Sequence, residues 1–236
     1  KPLHAGHAAE NGLRAARWAQ NGFTGGDDII AGRRGFWAVL SDDGHSEEAL
    51  LGCFGERWEF KMNGLKPFAN GIVSHPIQQA VVEIRNEHSL KPAQVKSITA
   101  RVHPLVLELM NRPEPRVGLE GKFSFQHCAA AALVDGAGHD SQFSDAKVQD
   151  PVIKDVRTKV SATIDESVCE EEVYLTITLT NGQKLENHVE HAVGSPNNPM
   201  SDEALMVKYR DLAGEVLSQQ QVEDLEAAVW ALDEAM

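Results

Sequence analysis

The 236-residue sequence has little of several features that mark particular classes of protein. It contains three cysteines, Cys53, Cys128 and Cys169, and no Cys-x-x-Cys pair. This argues against a disulfide framework or a zinc site and favours a reducing cytosol. The longest strongly apolar run, residues 128–134, is far too short to cross a bilayer, and the first residues lack the apolar core of a secretion signal. We therefore expect a cytoplasmic protein with no membrane partner.

Basic residues are also scarce. The sequence has 22 Lys and Arg against 35 Asp and Glu, a formal net charge of −13. Such a surface repels nucleic acid, so no nucleic-acid partner is expected. An anionic substrate would need a local cationic pocket. The chain is long enough for one large domain or two modest ones with a sizeable core.

Helical patterns occupy both ends of the chain. Residues 3–21 are Ala-rich and predict a helix, and Ser46 is placed to cap a short second one. Near the other end, Ser201 is placed to cap a further helix, and Ser218 with Gln221 predicts a capping box for the last one. That last helix has an apolar stripe that must pack on other helices: Val222, Leu225, Val229 and Leu232. The predicted helices are too few to cover these faces.

The middle of the chain mixes helix and strand signals. A helix is predicted where Pro76 stands in a first turn, and a strand over residues 94–103. Residues 173–190 alternate apolar and polar around the turn Asn181-Gly182, which predicts a β-hairpin. Between these strands, residues 121–136 and 150–160 predict helices. The fold class is therefore α+β, with helices on one face of a mostly antiparallel sheet, inserted into pieces of a larger all-helical domain.

Local motifs leave the chemistry open. His4 and His7 could share a helix face and bind a metal, but no third ligand stands at a telling spacing, so surface and packing roles are favoured and no metal is expected. Lys66 precedes a proline and an aromatic residue, which suits a rigid binding loop or simply a loop that enters a helix. Ser124 could be a nucleophile, although a helix N-terminal role is favoured. No phosphate-binding loop or Gly-x-Ser-x-Gly elbow is present.

Several longer motifs follow one another in a distinctive order: KPLHAGHAAENG, GFTGG, GRRGF, LKPFANGIVSHP, RPEPRVGLEGKFSFQHCAAAALVDG and GSPNNPMSDE. Together they resemble the MmgE/PrpD family, which includes 2-methylcitrate dehydratases and cis-aconitate decarboxylases. The resemblance runs over nearly the whole chain but covers only the C-terminal half of such proteins. We therefore expect the chain to begin inside the family's helical domain.

The resemblance implies an organisation and a chemistry. Residues 1–61 and 192–236 would belong to the helical domain and residues 62–191 to a smaller α+β lid, with the active site in the cleft between them. The family uses no metal or organic cofactor. It acts on small di- and tricarboxylates, and the implied partners are this substrate, the N-terminal half of the same protein and a second copy in a homodimer.

The resemblance also implies site residues. Lys1 and Lys66 fall on the family's two active-site lysine positions, where ammonium groups would stabilise a carbanion formed beside a carboxylate. His4, His75 and Ser124 lie in motifs that contribute to the pocket and could bind substrate. Phe68 is also expected to bind substrate, and it stands where the family often has tyrosine, so one hydroxyl donor is missing and the substrate could differ. The family's other active-site histidine and aspartate lie in the half that this chain does not contain.

The leading functional interpretation is a lyase that dehydrates a citrate-like di- or tricarboxylic acid. The alternatives within the family are decarboxylation of cis-aconitate and epimerisation of a dicarboxylate. A third interpretation, from a different class, is a non-catalytic fragment or degenerate paralogue that only folds or associates.

Overall fold

The computed structural model describes residues 2–232 of the chain, and these form two compact units that divide between Trp58 and Glu59. The first unit contains α1 (Pro2–Gln20), α2 (Phe36–Leu40) and α3 (Glu47–Leu51). The helix predicted over residues 3–21 and the short helix after Ser46 are confirmed, and Ser46 caps α3 by accepting a hydrogen bond from the Ala49 N–H at 3.1 Å. Side chains along α1 from Leu3 onward are exposed to solvent.

The second unit holds the remaining helices: α4 (His75–Glu87), α5 (Pro104–Met110), α6 (Gly118–Gly121), α7 (Phe125–Asp135), α8 (Asp145–Gln149), α9 (Pro151–Arg157), α10 (Asp202–Gly214) and α11 (Gln219–Trp230). Their starts follow from capping chemistry. Ser201 caps α10, and Ser218 with Gln221 forms the predicted capping box of α11. Pro76 lies in the first turn of α4, where its missing N–H removes no helix hydrogen bond.

A four-stranded sheet lies in the same unit, with strands β1 (Val95–Val102), β2 (Val160–Ile164), β3 (Val173–Leu179) and β4 (Lys184–Val189). The strand order is β2-β1-β3-β4, and the two pairings that involve β3 are antiparallel while β1 and β2 are parallel. The hairpin β3–β4 and the strand β1 confirm the predictions. β2 was not predicted, because its signal is short and follows directly on α9.

The core of this unit lies between the sheet and the helices α4, α7 and α9. The apolar residues of β3 that were predicted to share a face are all buried: Val173, Leu175, Ile177 and Leu179. α7 is buried almost all round, and Ala129–Ala132 are fully inaccessible. A helix that is apolar on every side belongs inside a protein, here between α4, α9 and the sheet. The fold class α+β is therefore observed. The proposed boundaries at 61/62 and 191/192 stay predictions.

The C-terminal helices α10 and α11 contact each other through a few specific groups. Arg210 forms two hydrogen bonds with the Glu226 carboxylate, at 2.8 and 2.7 Å, and the Tyr209 hydroxyl donates to the carbonyl oxygen of Val222 at 2.9 Å. Val222 is buried, whereas the rest of the predicted apolar stripe is exposed by 45 to 59 %: Leu225, Val229 and Leu232. Over residues 2–232, none of the helices has both the length and the apolar character needed to cross a membrane.

Candidate functional site

Residues 64–71 form an irregular segment that the surrounding backbone holds in place. The Leu65 N–H donates to the carbonyl oxygen of Gly194 at 2.7 Å, and the Ala69 N–H donates to that of Gly138 at 2.9 Å. Gly194 has φ +90°, and a Cβ atom there would collide with the carbonyl oxygen of Leu65. Glycine is therefore needed where these two segments meet.

Lys66 lies in this segment, and its main chain and its ammonium group both make hydrogen bonds. Its Nζ donates to the carbonyl oxygen of Asn70 at 3.1 Å. Its own carbonyl oxygen accepts a hydrogen bond from the Nζ of Lys208, on α10, at 2.7 Å. Two ammonium groups are thus brought to one short stretch of backbone.

A buried network of polar side chains holds residues 64–71 in place. The carboxamide nitrogen of Asn70 donates to Gln78 Oε1 and to the sulfur of Cys128, the latter at 3.1 Å. The Ser74 hydroxyl donates to the carbonyl oxygen of Gly71 at 2.8 Å. Burial raises the pKa of the Cys128 thiol to about 12, so the thiol stays protonated and acts as a packing group, not a nucleophile.

His75 begins α4 and is almost fully buried. Its ring meets that of Phe68 edge to face, with 5.4 Å between the centroids and an interplanar angle of 80°. The pKa of His75 is lowered to about 4, mainly because burial disfavours the charged imidazolium. The positive charges of Lys66 and Lys208 lower the pKa further, whereas a hydrogen bond with the Asn70 backbone raises it. The imidazole is therefore neutral at neutral pH.

The Nε2 atom of His75 is a buried polar atom without a hydrogen-bond partner among residues 2–232. Buried polar atoms normally have a partner, and an exception often indicates a functional group. His75 lines a cavity of about 430 Å³ together with Leu65, Ile72, Glu171 and Ser195. A ligand in that cavity could complete the hydrogen bonding of the imidazole.

Lys66 lines a second cavity, of about 310 Å³, with Phe68, Lys208, His139 and Asp211. His139 Nδ1 lies 2.9 Å from Asp211 Oδ2, so this carboxylate faces the imidazole. The cavity therefore combines two ammonium groups with an aromatic wall, and its two carboxylates, Asp140 and Asp211, are already paired with Lys122 and His139. Such a lining suits a small carboxylate anion, because cations balance its charge and the ring covers its carbon skeleton.

The structure brings three of the predicted site residues together. Lys66 and Phe68 line one cavity, and His75 packs against Phe68. Ser124 is fully buried and caps α7, where its hydroxyl accepts a hydrogen bond from the His127 N–H at 3.1 Å. The favoured helix N-terminal role of Ser124 is confirmed. The substrate-binding roles of all four residues stay predictions.

The other two predicted residues, His4 and Lys1, stand at the start of the sequence. His4 is on α1 with its side chain exposed to solvent, as is His7. Lys1 lies outside the described residues. No group of three or more His, Cys, Asp or Glu side chains that could hold a metal ion occurs in the described part of the chain.

Sequence reasoning missed Lys208, Gln78 and the network role of Asn70. Lys208 comes 142 residues after Lys66, and nothing near it in the chain indicates a site. Gln78 did leave a signal, because it is a polar residue on the apolar face of α4, beside Ile77 and Val81. A buried amide needs partners, so its position could have indicated a polar network.

Comparison with known proteins identifies related sequences along the whole chain. Residues 68–234 match the MmgE/PrpD C-terminal domain, and residues 1–49 match the MmgE/PrpD N-terminal domain. Curated relatives include cis-aconitate decarboxylases from Mus musculus, Homo sapiens and Aspergillus terreus. They are 27 %, 28 % and 26 % identical over alignments that cover 99 %, 95 % and 99 % of this chain and 50 %, 48 % and 52 % of the relative. The chain thus spans about half the length of the curated relatives that it matches.

Proposed function

The chain belongs to the MmgE/PrpD family, and we propose that it contributes the lid and part of the helical domain of a lyase acting on a small di- or tricarboxylic acid. The observation that carries this proposal is the pair of ammonium groups, Lys66 and Lys208, on one cavity whose aromatic wall, Phe68, packs on the buried imidazole of His75. These two cations would attract a substrate with two or three carboxylates, whereas the chain as a whole has a formal net charge of −13 and repels anions.

We propose decarboxylation of a cis-aconitate-like acid as the reaction. The names of the curated relatives support it, whereas none of those reported above is a dehydratase of a citrate-like acid. In such a step the bond between carbon and the leaving carboxylate breaks, CO2 departs, and the electron pair stays on carbon until it takes up a proton. The remaining carboxylates and the double bond spread this charge.

The lysines suit that step. An ammonium group beside the reacting carbon stabilises the developing negative charge, and it is most effective when held in place before the reaction. Lys66 is held in this way by the Asn70 carbonyl, while Lys208 fixes the backbone of Lys66. His75 is neutral, so it is suited to a hydrogen bond with a substrate oxygen and not to an ion pair. Lys1 and His4 join these residues in the proposal through the family resemblance.

The proposed partners are the N-terminal half of the same protein and a second copy of the whole protein. Exposed apolar side chains in both units support the first of these, including Leu3 and Leu13 on α1 and Leu225 and Val229 on α11. Each large aliphatic side chain left in water forgoes about 1.5–3 kcal/mol of burial free energy. Further helices of the family's helical domain would cover these faces.

The test is catalysis by the protein with its N-terminal half supplied, covalently or as a second chain. With cis-aconitate we expect CO2 release and a product that carries one carboxylate fewer, followed by ¹³C NMR. Lys66→Ala should reduce kcat/KM at least about a hundredfold with little change in Tm, on the scale of a lost charge-stabilising group. Lys184→Ala, an exposed lysine on β4, is the matched control.

The other reactions have their own readouts. Dehydration of citrate or 2-methylcitrate forms an alkene that absorbs in the ultraviolet, and epimerisation changes optical rotation alone. Either of these without CO2 release would replace decarboxylation but keep the carboxylate site. Normal kinetics in Lys66→Ala would remove Lys66 from the site, and no turnover of any of these acids would favour a non-catalytic protein.

A further inference from the structure

A second cation-lined cavity, of about 540 Å³, lies in the unit that carries the sheet. Its lining comes from the segment before α6, the start of α7, the end of α8 and the end of α9. Its basic residues are Arg116, Lys154 and Arg157, and its acidic residue is Glu114. It shares no lining residue with the cavities of Lys66 and His75.

Arg157 is the central feature of this cavity. It is the last residue of α9 and only 7 % of its surface is exposed. Its Nη1 donates to the carbonyl oxygen of Val148 at 3.1 Å. Within residues 2–232, its guanidinium forms no salt bridge with a carboxylate. Burial lowers the pKa of Arg157, and the charge of Glu114 opposes this only in part.

The guanidinium of Arg157 lines the cavity and has N–H donors left for an anion. Arginine carries five such donors, and the charge of a largely buried side chain is stabilised when it is paired and hydrogen-bonded. One backbone carbonyl satisfies one donor. The neighbouring cavity is where an anion could satisfy the others.

Further hydrogen bonds hold the other residues that line this cavity. The side chain of Gln149 donates to the backbone carbonyl oxygen of Arg116 at 2.8 Å and accepts from Lys154 Nζ at 3.2 Å, which ties the Arg116 backbone and the Lys154 ammonium group to one amide. Gln126 is buried, and its carboxamide nitrogen is engaged with Asn111 at 2.8 Å. Three cations and one carboxylate line the cavity, so its charge suits an anion with two or more negative charges.

We propose that this cavity is a binding site for a small oxyanion with two or more negative charges, held by the buried fork of Arg157 and by Arg116 and Lys154. Guanidinium groups bind carboxylate and phosphate oxygens in pairs of parallel hydrogen bonds, so both chemistries fit the lining. The inference does not depend on the proposed lyase activity, because it uses none of the residues assigned to the Lys66 cavity. A bound anion would hold the segment before α6 against the end of α9.

The experiment uses isothermal titration calorimetry on the purified protein with two probes, inorganic pyrophosphate and citrate. We expect saturable binding that weakens as salt is raised, because ion pairing drives it. Arg116→Gln with Lys154→Gln should weaken binding at least about tenfold without affecting folding, since both side chains are exposed. Arg157→Gln should abolish binding. Lys184→Gln is the matched control and should bind like the unchanged protein.

The variants separate the sources of a binding signal. Lys66→Gln should leave the pyrophosphate affinity unchanged, and hydrogen exchange in residues 113–117 and 154–158 should slow when the anion is added. Binding that is lost in Lys66→Gln but kept in the double variant would place the anion in the Lys66 cavity and overturn the proposal. So would the absence of binding by both probes, or equal affinity in the double variant and the control. If pyrophosphate binds more tightly than citrate, the natural ligand carries phosphate groups. If citrate binds more tightly, the natural ligand carries carboxylates.

Discussion

Lys208 donates a hydrogen bond to the carbonyl oxygen of Lys66 across 142 residues of chain, at 2.7 Å. This contact joins α10 to the segment that presents the candidate catalytic lysine. It also places a second ammonium group on the same cavity. The position of Lys66 therefore depends on a helix near the far end of the chain.

Replacing Lys208 should impair the site without unfolding the protein. In Lys208→Met the aliphatic stem is kept, whereas the hydrogen bond and the charge are lost. We expect kcat/KM to fall about tenfold or more, on the scale of one charged hydrogen bond of about 1.5–3 kcal/mol. Hydrogen exchange in residues 64–70 should become faster. Lys208→Arg should recover part of the activity, and an unchanged exchange rate in Lys208→Met would contradict the positioning role.

The buried imidazole of His75 should make stability depend on pH. The pKa of its imidazole is about 4 in the folded chain, whereas an unburied histidine has a pKa of 6.5. Between these two pH values the unfolded chain therefore binds a proton that the folded chain does not. Stability should then rise with pH across this window and be lost as the pH falls from about 6.5 to about 4. The shift corresponds to about 3 kcal/mol in the free energy of unfolding.

Denaturant unfolding at several pH values checks this. In His75→Gln the pH dependence between 4 and 6.5 should be weaker, because one titrating group is gone, while His127, whose pKa is also lowered by burial, still contributes. His88→Gln, at the exposed end of α4, serves as the control. Identical slopes in the His75 variant and the control would show that His75 does not titrate as its burial indicates.

The three cysteines should differ sharply in reactivity. Cys53 and Cys169 are exposed, whereas Cys128 is fully buried with its pKa raised to about 12. A thiol reagent should modify Cys53 and Cys169 in the native protein and reach Cys128 only on unfolding, because the thiolate is the reactive form. Mass spectrometry of labelled peptides gives the order in which the three cysteines react. Early labelling of Cys128 would mean that the polar network below residues 64–71 opens readily.

Removing metal ions should change nothing in the proposed reaction. The family resemblance implies a reaction without a metal, and the candidate groups are ammonium and imidazole side chains. Prolonged treatment with a chelator should therefore leave activity and Tm unchanged. A stoichiometric metal in the purified protein, with activity lost on its removal, would overturn this expectation.

The exposed stripe of α11 should become protected when its partner helices are supplied. Leu225 and Val229 are about half exposed, whereas Val222 is buried. Hydrogen exchange in residues 219–230 should slow on addition of the N-terminal half, and solubility should rise with it. Leu225→Asp should weaken this protection by burying a charge in the new contact. Full protection in the isolated monomer would show that α11 needs no further cover.

The elements that could be predicted are those whose signals lie within a few residues. Capping at Ser46 and Ser218 is local chemistry, and so is the turn at Asn181-Gly182 between two alternating strands. Lys66 was proposed as a site residue from a contiguous motif, and that role stays a prediction. In each case the residues that determine the structure are neighbours in the chain, so reading the sequence is sufficient.

The elements that could not be predicted depend on residues far apart in the chain. β2 becomes a strand by pairing in parallel with β1, from Ile98 with Val160 to Val102 with Ile164, and five residues carry too weak a signal of their own. The pKa of His75 depends on its burial, and the hydrogen bond between Lys208 and Lys66 depends on the folded chain. Folding also places Arg157 at a cavity, where its guanidinium has one backbone hydrogen-bond partner. Residue types and local spacing therefore determine which helices and turns form. Burial and long-range contact decide which side chains meet and with what charge, because desolvation and hydrogen bonding depend on surroundings that exist only in the folded chain.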